Sequence, residues 1–229
     1  MTIPDHRATI TQRLAVQLSE RIFAGAYAPG APLREGELAA RYEVSRHVIR
    51  EVLRTLAADG LVDYASFRGA RVPVLTEADA RDIYRARRMV ECGAEAMSVL
   101  PDAATIGQIH RDFSAAVKAG DFGRAFELDV VFHAEIMAAS GSPRASAWLA
   151  GLMQSLRLAH LVAPSFNRQA FVASVEQHGA IVAAIEVGDA EATRQAMKQH
   201  LDAAETSLIE DMARPPVPKG AIPHPDSTG

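Results

Sequence analysis

The sequence predicts a mainly α protein in two parts: three short helices closed by a β-hairpin, then an all-helical antiparallel bundle. Three observations carry this. Residues 45–56, SRHVIREVLRTL, read as a capped helix with a basic start and an apolar back. Two β-like segments follow it at once. From Thr76 onward only helical periodicity remains, broken by Gly and Pro punctuation.

Residues 9–24 form the first expected helix, with Leu14, Leu18 and Ile22 at four-residue spacing and Gly25 at its end. Residues 26–32, AYAPGAP, read as a turn-rich connection. Glu35 to Tyr42 is a short second helix. Ser45 can cap a third, which ends at Asp59-Gly60. Val48, Val52, Leu53 and Leu56 form its apolar side, while Arg46, His47 and Arg50 share an early polar face. Residues 61–65 and 70–74 are β-like around the turn Phe67-Arg68-Gly69. Three helices and a hairpin are the winged helix-turn-helix layout.

Thr76 and Asp79 form a capping pair for a long helix to about Val99. Further helices are expected at 102–119, 121–139, 143–162, 167–187 and 189–212. These elements divide the chain into a reading unit at 1–75, a helical unit at 76–213 and a disordered Pro-rich tail at 214–229.

Composition narrows the class. Apolar residues are 48% of the 229, enough for a sizeable core. Cys92 is alone, which rules out an internal disulfide and favours a reducing, cytoplasmic setting. No signal-peptide core and no membrane-length apolar run is expected. Residues 1–75 carry 10 Lys/Arg against 8 Asp/Glu, and residues 76–229 carry 14 against 20. A mildly basic first third suits a nucleic-acid module attached to a part that does not touch nucleic acid.

Base edges are read by side chains projected into the major groove, and phosphates need positive charge and N–H donors. Arg46, His47 and Arg50 leave the first turns of the third helix, where such helices meet DNA. Ser45 can cap and also reach a phosphate. Arg68 and Arg71 beside the hairpin turn are placed for the minor groove or its phosphates, and Gly69 allows close backbone approach. The competing reading makes Arg46 and Arg50 a solvated face paired with Glu43 or Glu51. Arg54, further along, is expected to be structural or a peripheral phosphate contact.

Residues 38–62, LAARYEVSRHVIREVLRTLAADGLV, resemble the N-terminal domain of GntR-family transcriptional regulators, and Arg68-Gly69-Ala70 resembles that family's wing. The resemblance spans residues 10–75. It implies DNA contacts at Arg46, Arg50 and Gly69 and, less directly, at Arg34, beside Ser45, His47 and Arg68, which the residues themselves suggest. Glu43 replaces a common Gly, Tyr42 a Leu, and His47-Val48 a frequent Thr-Pro. Gly36 stands where the family often has a DNA-contacting Arg, for which Arg34 can compensate.

In the helical part, Asp129 and His133 share one helix face at i, i+4. His178 and His200 lie on later helices, and a bundle can bring all four to one interior point. Three imidazoles and a carboxylate suit Zn²⁺, with Ni²⁺, Mn²⁺ or Fe²⁺ as alternatives, better than Ca²⁺ or Mg²⁺. Each histidine alone reads more readily as a surface or hydrogen-bonded core residue than as a ligand, and His110 and His160 are left so.

Residues 76–212 resemble the all-helical FCD ligand-binding domain of one GntR branch. The resemblance implies a metal held by Asp129, His133, His178 and His200, and a carboxylate effector met by Arg87. The alternative for Arg87 is a surface salt bridge to Glu91. The family's SGN segment reads Ser140-Gly141-Ser142 here. The expected protein is a homodimeric repressor that binds a palindromic double-stranded operator and answers to a small organic acid. It is not an enzyme. A metal-dependent enzyme using the same His/carboxylate site is the alternative, and a sequence-independent DNA binder stands behind it.

Overall fold

The computed structural model describes residues 9–65, 69–93, 98–162 and 166–214. The expected tail from 215 onward and Arg68 lie outside the described residues.

Helix α1 (Ile10–Phe23) opens on a capping box in which Thr9 and Gln12 satisfy each other's backbone N–H. A two-residue strand β1 (Pro32–Leu33) follows, beginning at the last residue of the stretch expected to be a turn. Two residues are too few to show an alternating pattern, so its signal was invisible. Helices α2 (Glu35–Tyr42) and α3 (Arg46–Ala58) come next. Ser45 caps α3, its hydroxyl accepting from the Val48 N–H at 3.3 Å. Strands β2 (Asp63–Ala65) and β3 (Gly69–Arg71) complete an antiparallel sheet of order β1-β3-β2, with Tyr64 opposite Ala70. The strands are shorter than the expected 61–65 and 70–74.

Leu18, Ile22, Leu33, Ile49, Val52, Leu53 and Val72 close the core of this unit. Ile49 is fully buried and Val48 only half-buried, so the apolar side of α3 is turned slightly from its expected position.

Helix α4 (Glu77–Glu91) has the Thr76–Asp79 capping box. It stops at Glu91, well short of Val99. Cys92 caps it, and at Gly93 an added Cβ would lie 3.0 Å from the Met89 carbonyl oxygen. A glycine lets the chain leave the helix at that close approach. Helices α5 (Ala103–Ala119), α6 (Phe122–Ala139), α7 (Pro143–Val162), α8 (Phe166–Glu186) and α9 (Ala190–Met212) complete the bundle. Asp102, Asp121 and Asp189 cap α5, α6 and α9, as acceptors at helix N-termini should. Tyr84, Phe132, Ile136, Met153, Ile181 and Leu201 lie in its core.

α7 also belongs to the first unit. Its Leu158 is buried in the α1–α3 core. Arg157 lies over the ring of Phe23 from α1, and a Cβ on Gly60 would approach Ser155 Oγ at 3.0 Å. No described helix is long and apolar enough to cross a membrane.

Candidate metal centre and DNA-reading surface

Three helices converge on one buried point. Asp129 and His133 project from α6, His178 from α8 and His200 from α9. One potential ligand atom from each lies within 4.8 Å of the others. All four side chains are buried. His178 Nε2 is 3.5 Å from Asp129 Oδ1, and His133 Nε2 is 3.9 Å from the same oxygen.

The surrounding contacts orient these rings. His133 Nδ1 donates to Glu91 Oε2 at 2.5 Å, and His200 Nδ1 donates to Gln177 Oε1 at 2.8 Å. Each bond leaves the opposite nitrogen facing the centre, the arrangement in which outer carboxylates and amides hold ligand histidines. His178 stacks on Phe132, with ring centroids 4.2 Å apart. His133 Nε2 and both nitrogens of His178 are buried with no hydrogen-bond partner. Buried polar atoms without partners cost free energy unless something satisfies them. A divalent cation is what three imidazoles and a carboxylate at these distances would satisfy, so the residues fit such a group.

Electrostatics agree. Burial, and then the neighbouring His200 and His133, drive the His178 pKa well below its usual value. Burial, followed by His133, does the same for His200. Both rings are therefore neutral and ready to donate lone pairs. Burial raises the Asp129 carboxyl, against the pull of His133 and Arg87.

Arg87 is buried, not on the surface. Its Nε donates to Glu91 Oε1 at 2.7 Å, while Nη2 has no partner. The expected Arg87–Glu91 pair therefore exists, but in the interior, where Glu91 bridges Arg87 to His133. Sequence reasoning treated Glu91 only as a neighbour of Arg87 and missed Gln177. The i, i+4 spacing signalled the first contact; nothing local signals a Glu91–His133 bond across 42 positions. Arg87 and Asp129 line a small cavity with Tyr84, Phe126, Leu156 and His200. Arg88 points elsewhere, to Asp202 and Glu205 of α9. His110, left out of the site, stands with its ring centroid 6.4 Å from that of His178.

On the candidate DNA-reading surface, Ser45, Arg46, His47 and Arg50 are all exposed at the start of α3. Arg50 pairs with Glu35, rather than with Glu43 or Glu51. Arg46 lies across Gly36. Arg54 pairs with Glu51 at 2.7 Å and Arg71 with Asp63 at 3.6 Å. Arg34 pairs with Glu37 at 3.0 Å, exposed. Gly69 has φ +74° and nothing within 4 Å of an added Cβ, so its backbone is open to approach.

Comparisons with known proteins match two families to the chain. Residues 10–72 match the bacterial regulatory proteins of the gntR family, and residues 82–203 match the FCD domain. An HTH-type transcriptional regulator from an unstable DNA locus of Streptomyces ambofaciens is 32% identical over 204 residues, covering 87% of this chain and 83% of its own. The transcriptional repressor RspR of Escherichia coli is 27% identical, over 79% of this chain and 81% of its own. A solved GntR regulator from Rhodococcus sp. RHA1 superposes with a TM-score of 0.76 at 27% identity, covering 87% of this chain and 97% of that one. These relatives are regulators of transcription. The chain is a member of the GntR family of bacterial transcriptional regulators, in the branch that carries an FCD domain.

Proposed function

We propose that this chain is a repressor whose helical part, residues 76–213, senses a small carboxylate beside a bound divalent metal and controls DNA binding by residues 1–75. The observation that carries the reading is the buried Asp129–His133–His178–His200 cluster, with unpartnered imidazole nitrogens next to the unpartnered Arg87 Nη2. Repression is supported by RspR and by a probable D-xylose operon repressor of Paenarthrobacter nicotinovorans, 27% identical over 86% of this chain and 88% of its own.

Asp129, His133, His178 and His200 would hold the metal, with zinc the first choice and nickel, manganese or iron as alternatives. The ion would supply a Lewis-acid point for one carboxylate oxygen. Arg87 has donors left for the other oxygen, a charge-assisted contact. Glu91 and Gln177 fix the rings and exclude competing tautomers.

Space links the site to DNA. About 20 Å³ of the cavity is open to a water-sized body, roughly one water. An organic acid therefore enters only if Phe126, Leu156 or their helices move. Leu156 is followed directly by Arg157 and Leu158, which grip α1 and the reading core. A ligand that fits only the moved state shifts the population towards it. Two reading units in a homodimer would take the two halves of a palindromic operator, each α3 in a major groove through Arg46, His47 and Arg50, with Ser45, Arg34, Arg68 and Gly69 at the backbone. The setting is the cytoplasm.

The test is a release assay. Metal content of purified protein is measured, a bound duplex is selected from a random library, and small organic acids are screened for release. Metal bound stoichiometrically and release by an acid, lost in Arg87→Ala, are expected. Turnover of the acid without sequence-specific DNA binding would favour an enzyme instead.

A further inference from the structure

The reading helix does not hold its arginines alone. Glu35, the first residue of α2, accepts two hydrogen bonds from Arg50: Nε to Oε1 at 3.1 Å and Nη2 to Oε2 at 2.9 Å. The Tyr64 hydroxyl of β2 donates to the same Oε1 at 3.2 Å. One carboxylate thus ties the reading helix, the helix before it and the wing strand together. The Arg50 side chain remains 44% exposed, and its Nη1 takes no part in the Glu35 contact. The next residue, Gly36, supports the other arginine. A Cβ there would lie 3.3 Å from Arg46 Nη2 and 3.7 Å from its Cζ, so Arg46 occupies space that a side chain would take.

We infer that Glu35 is a positioning residue that aims Arg50 for base reading and couples that aim to the wing through Tyr64. This rests on the DNA-reading role proposed above and adds a specificity determinant to it. A long arginine normally surrenders rotamer freedom when it meets a guanine edge. One already clamped as a planar fork surrenders less, and presents its outer donors in a fixed direction. The clamp also has an electrostatic consequence. The Arg50 hydrogen bond holds the Glu35 carboxyl below its usual pKa, so an anion sits on the DNA-facing side. A carboxylate there opposes phosphates at every register, and only the register in which Arg50 finds its base offsets this. Glu35 should weaken non-specific binding and sharpen discrimination, two effects that a merely structural residue would not separate.

The experiment uses the full chain, a duplex selected from a random library by the wild-type protein, and a scrambled duplex of equal length and composition. Both are titrated by fluorescence anisotropy at several salt concentrations with wild type, Glu35→Gln and Tyr64→Phe. Glu35→Gln is expected to bind the scrambled duplex more tightly and the selected one more weakly, so that their affinity ratio falls about tenfold, the scale of one base contact. Tyr64→Phe should lower the ratio in the same direction by less. If Glu35→Gln unfolds the reading unit, Tyr64→Phe carries the comparison, since it removes one hydroxyl. An unchanged ratio, or a parallel loss of both affinities, would overturn the inference and leave the proposed function standing. So would tighter binding to the selected duplex at an undiminished ratio, which would make Glu35 a mask over Arg50. Failure of the wild-type chain to select any sequence would remove the DNA-reading role itself, and this inference with it.

Discussion

Arg157 lies over the ring of Phe23, its guanidinium carbon 4.0 Å from the centroid. The same carbon is 5.6 Å from the ring centroid of Phe126, which lines the cavity beside Asp129. One side chain of α7 therefore touches both the first helix of the N-terminal unit and the wall of the cavity beside Asp129. Burial lowers the Arg157 pKa, with partial compensation from Glu127 and Glu20, and the cation lies against two aromatic faces. Arg157→Ala should lose about 1 kcal/mol of stability, in the range for a partly desolvated cation–π contact. Its larger effect should fall on coupling: the acid still binds, but releases DNA less effectively. Calorimetric ligand binding alongside the release assay checks this, and an undiminished release in Arg157→Ala would assign the coupling to Leu158 and the backbone.

Glu91 joins Arg87 to His133, and its removal should affect both. Glu91→Gln leaves a buried guanidinium without its counter-charge, a change that costs about 3–5 kcal/mol where a buried pair is broken. It also weakens the hold on the His133 ring, for which a 10–100-fold loss of metal affinity is the usual order. The pH dependence has a definite sign. Burial pushes the Glu91 pKa up, but Arg87 and His133 outweigh it and bring it down from 4.5 to about 2. The folded state thus binds the proton less readily than the unfolded chain. The stability that Glu91 contributes is complete above pH 4.5 and is lost as pH falls towards 2. Urea unfolding at a series of pH values should show the gap between wild type and Glu91→Gln narrowing across that interval. A constant gap would mean that Glu91 acts through packing rather than charge.

The difference between Asp129 and Glu91 shows what the sequence could disclose. Asp129 and His133 sit one helical turn apart on α6, so periodicity alone places them together. His178 and His200 could be named as candidates, but spacing does not say which faces of distant helices meet, and only the family resemblance joined them to the pair. Glu91 reaches His133 only through the packing of α4 against the bundle, and no local pattern encodes that. The helix caps were legible at Ser45 and Thr76, where one side chain answers one backbone N–H. The end of α4 was not, since the close contact of Gly93 with the Met89 carbonyl arises from the folded path of the chain. Arg46 and Arg50 were legible as a basic face, but Glu35 was hidden because its bond to Arg50 spans 15 positions between two helices.

His178 separates the needs of the metal from those of the fold. Both its ring nitrogens are buried without partners. A buried unsatisfied polar group costs about 1–3 kcal/mol, and an apolar replacement of similar volume removes that cost. His178→Leu is therefore expected to stabilise the metal-free protein by about 1 kcal/mol, the lost stacking on Phe132 offsetting part of the gain. If the cluster holds zinc, the ion should raise the melting temperature of the wild type, and the same variant should abolish that rise. Thermal unfolding with chelator and with added zinc reads both effects. A variant that still gains stability from zinc would place the ion elsewhere.

Glu43 carries a backbone cost of its own. It ends α2 with φ 54° and ψ 41°, the left-handed conformation, and is the one non-glycine residue with positive φ among those described. Both its own N–H and that of Val44 turn back to the Ala39 carbonyl oxygen, so the conformation is fixed by the helix end. A side chain with a Cβ is disfavoured there by about 1–2 kcal/mol, and glycine is not. Glu43→Gly gives back some of that through the greater freedom of the unfolded chain. The net expectation is a gain of about 1 kcal/mol in urea unfolding. The variant also removes an exposed negative charge two residues before Ser45, so binding to a scrambled duplex should strengthen slightly and lose that difference at high salt. A loss of stability would mean that the Glu43 side chain contributes contacts worth more than its backbone strain. The direction of the urea midpoint therefore decides whether the departure from glycine at this turn is tolerated or useful.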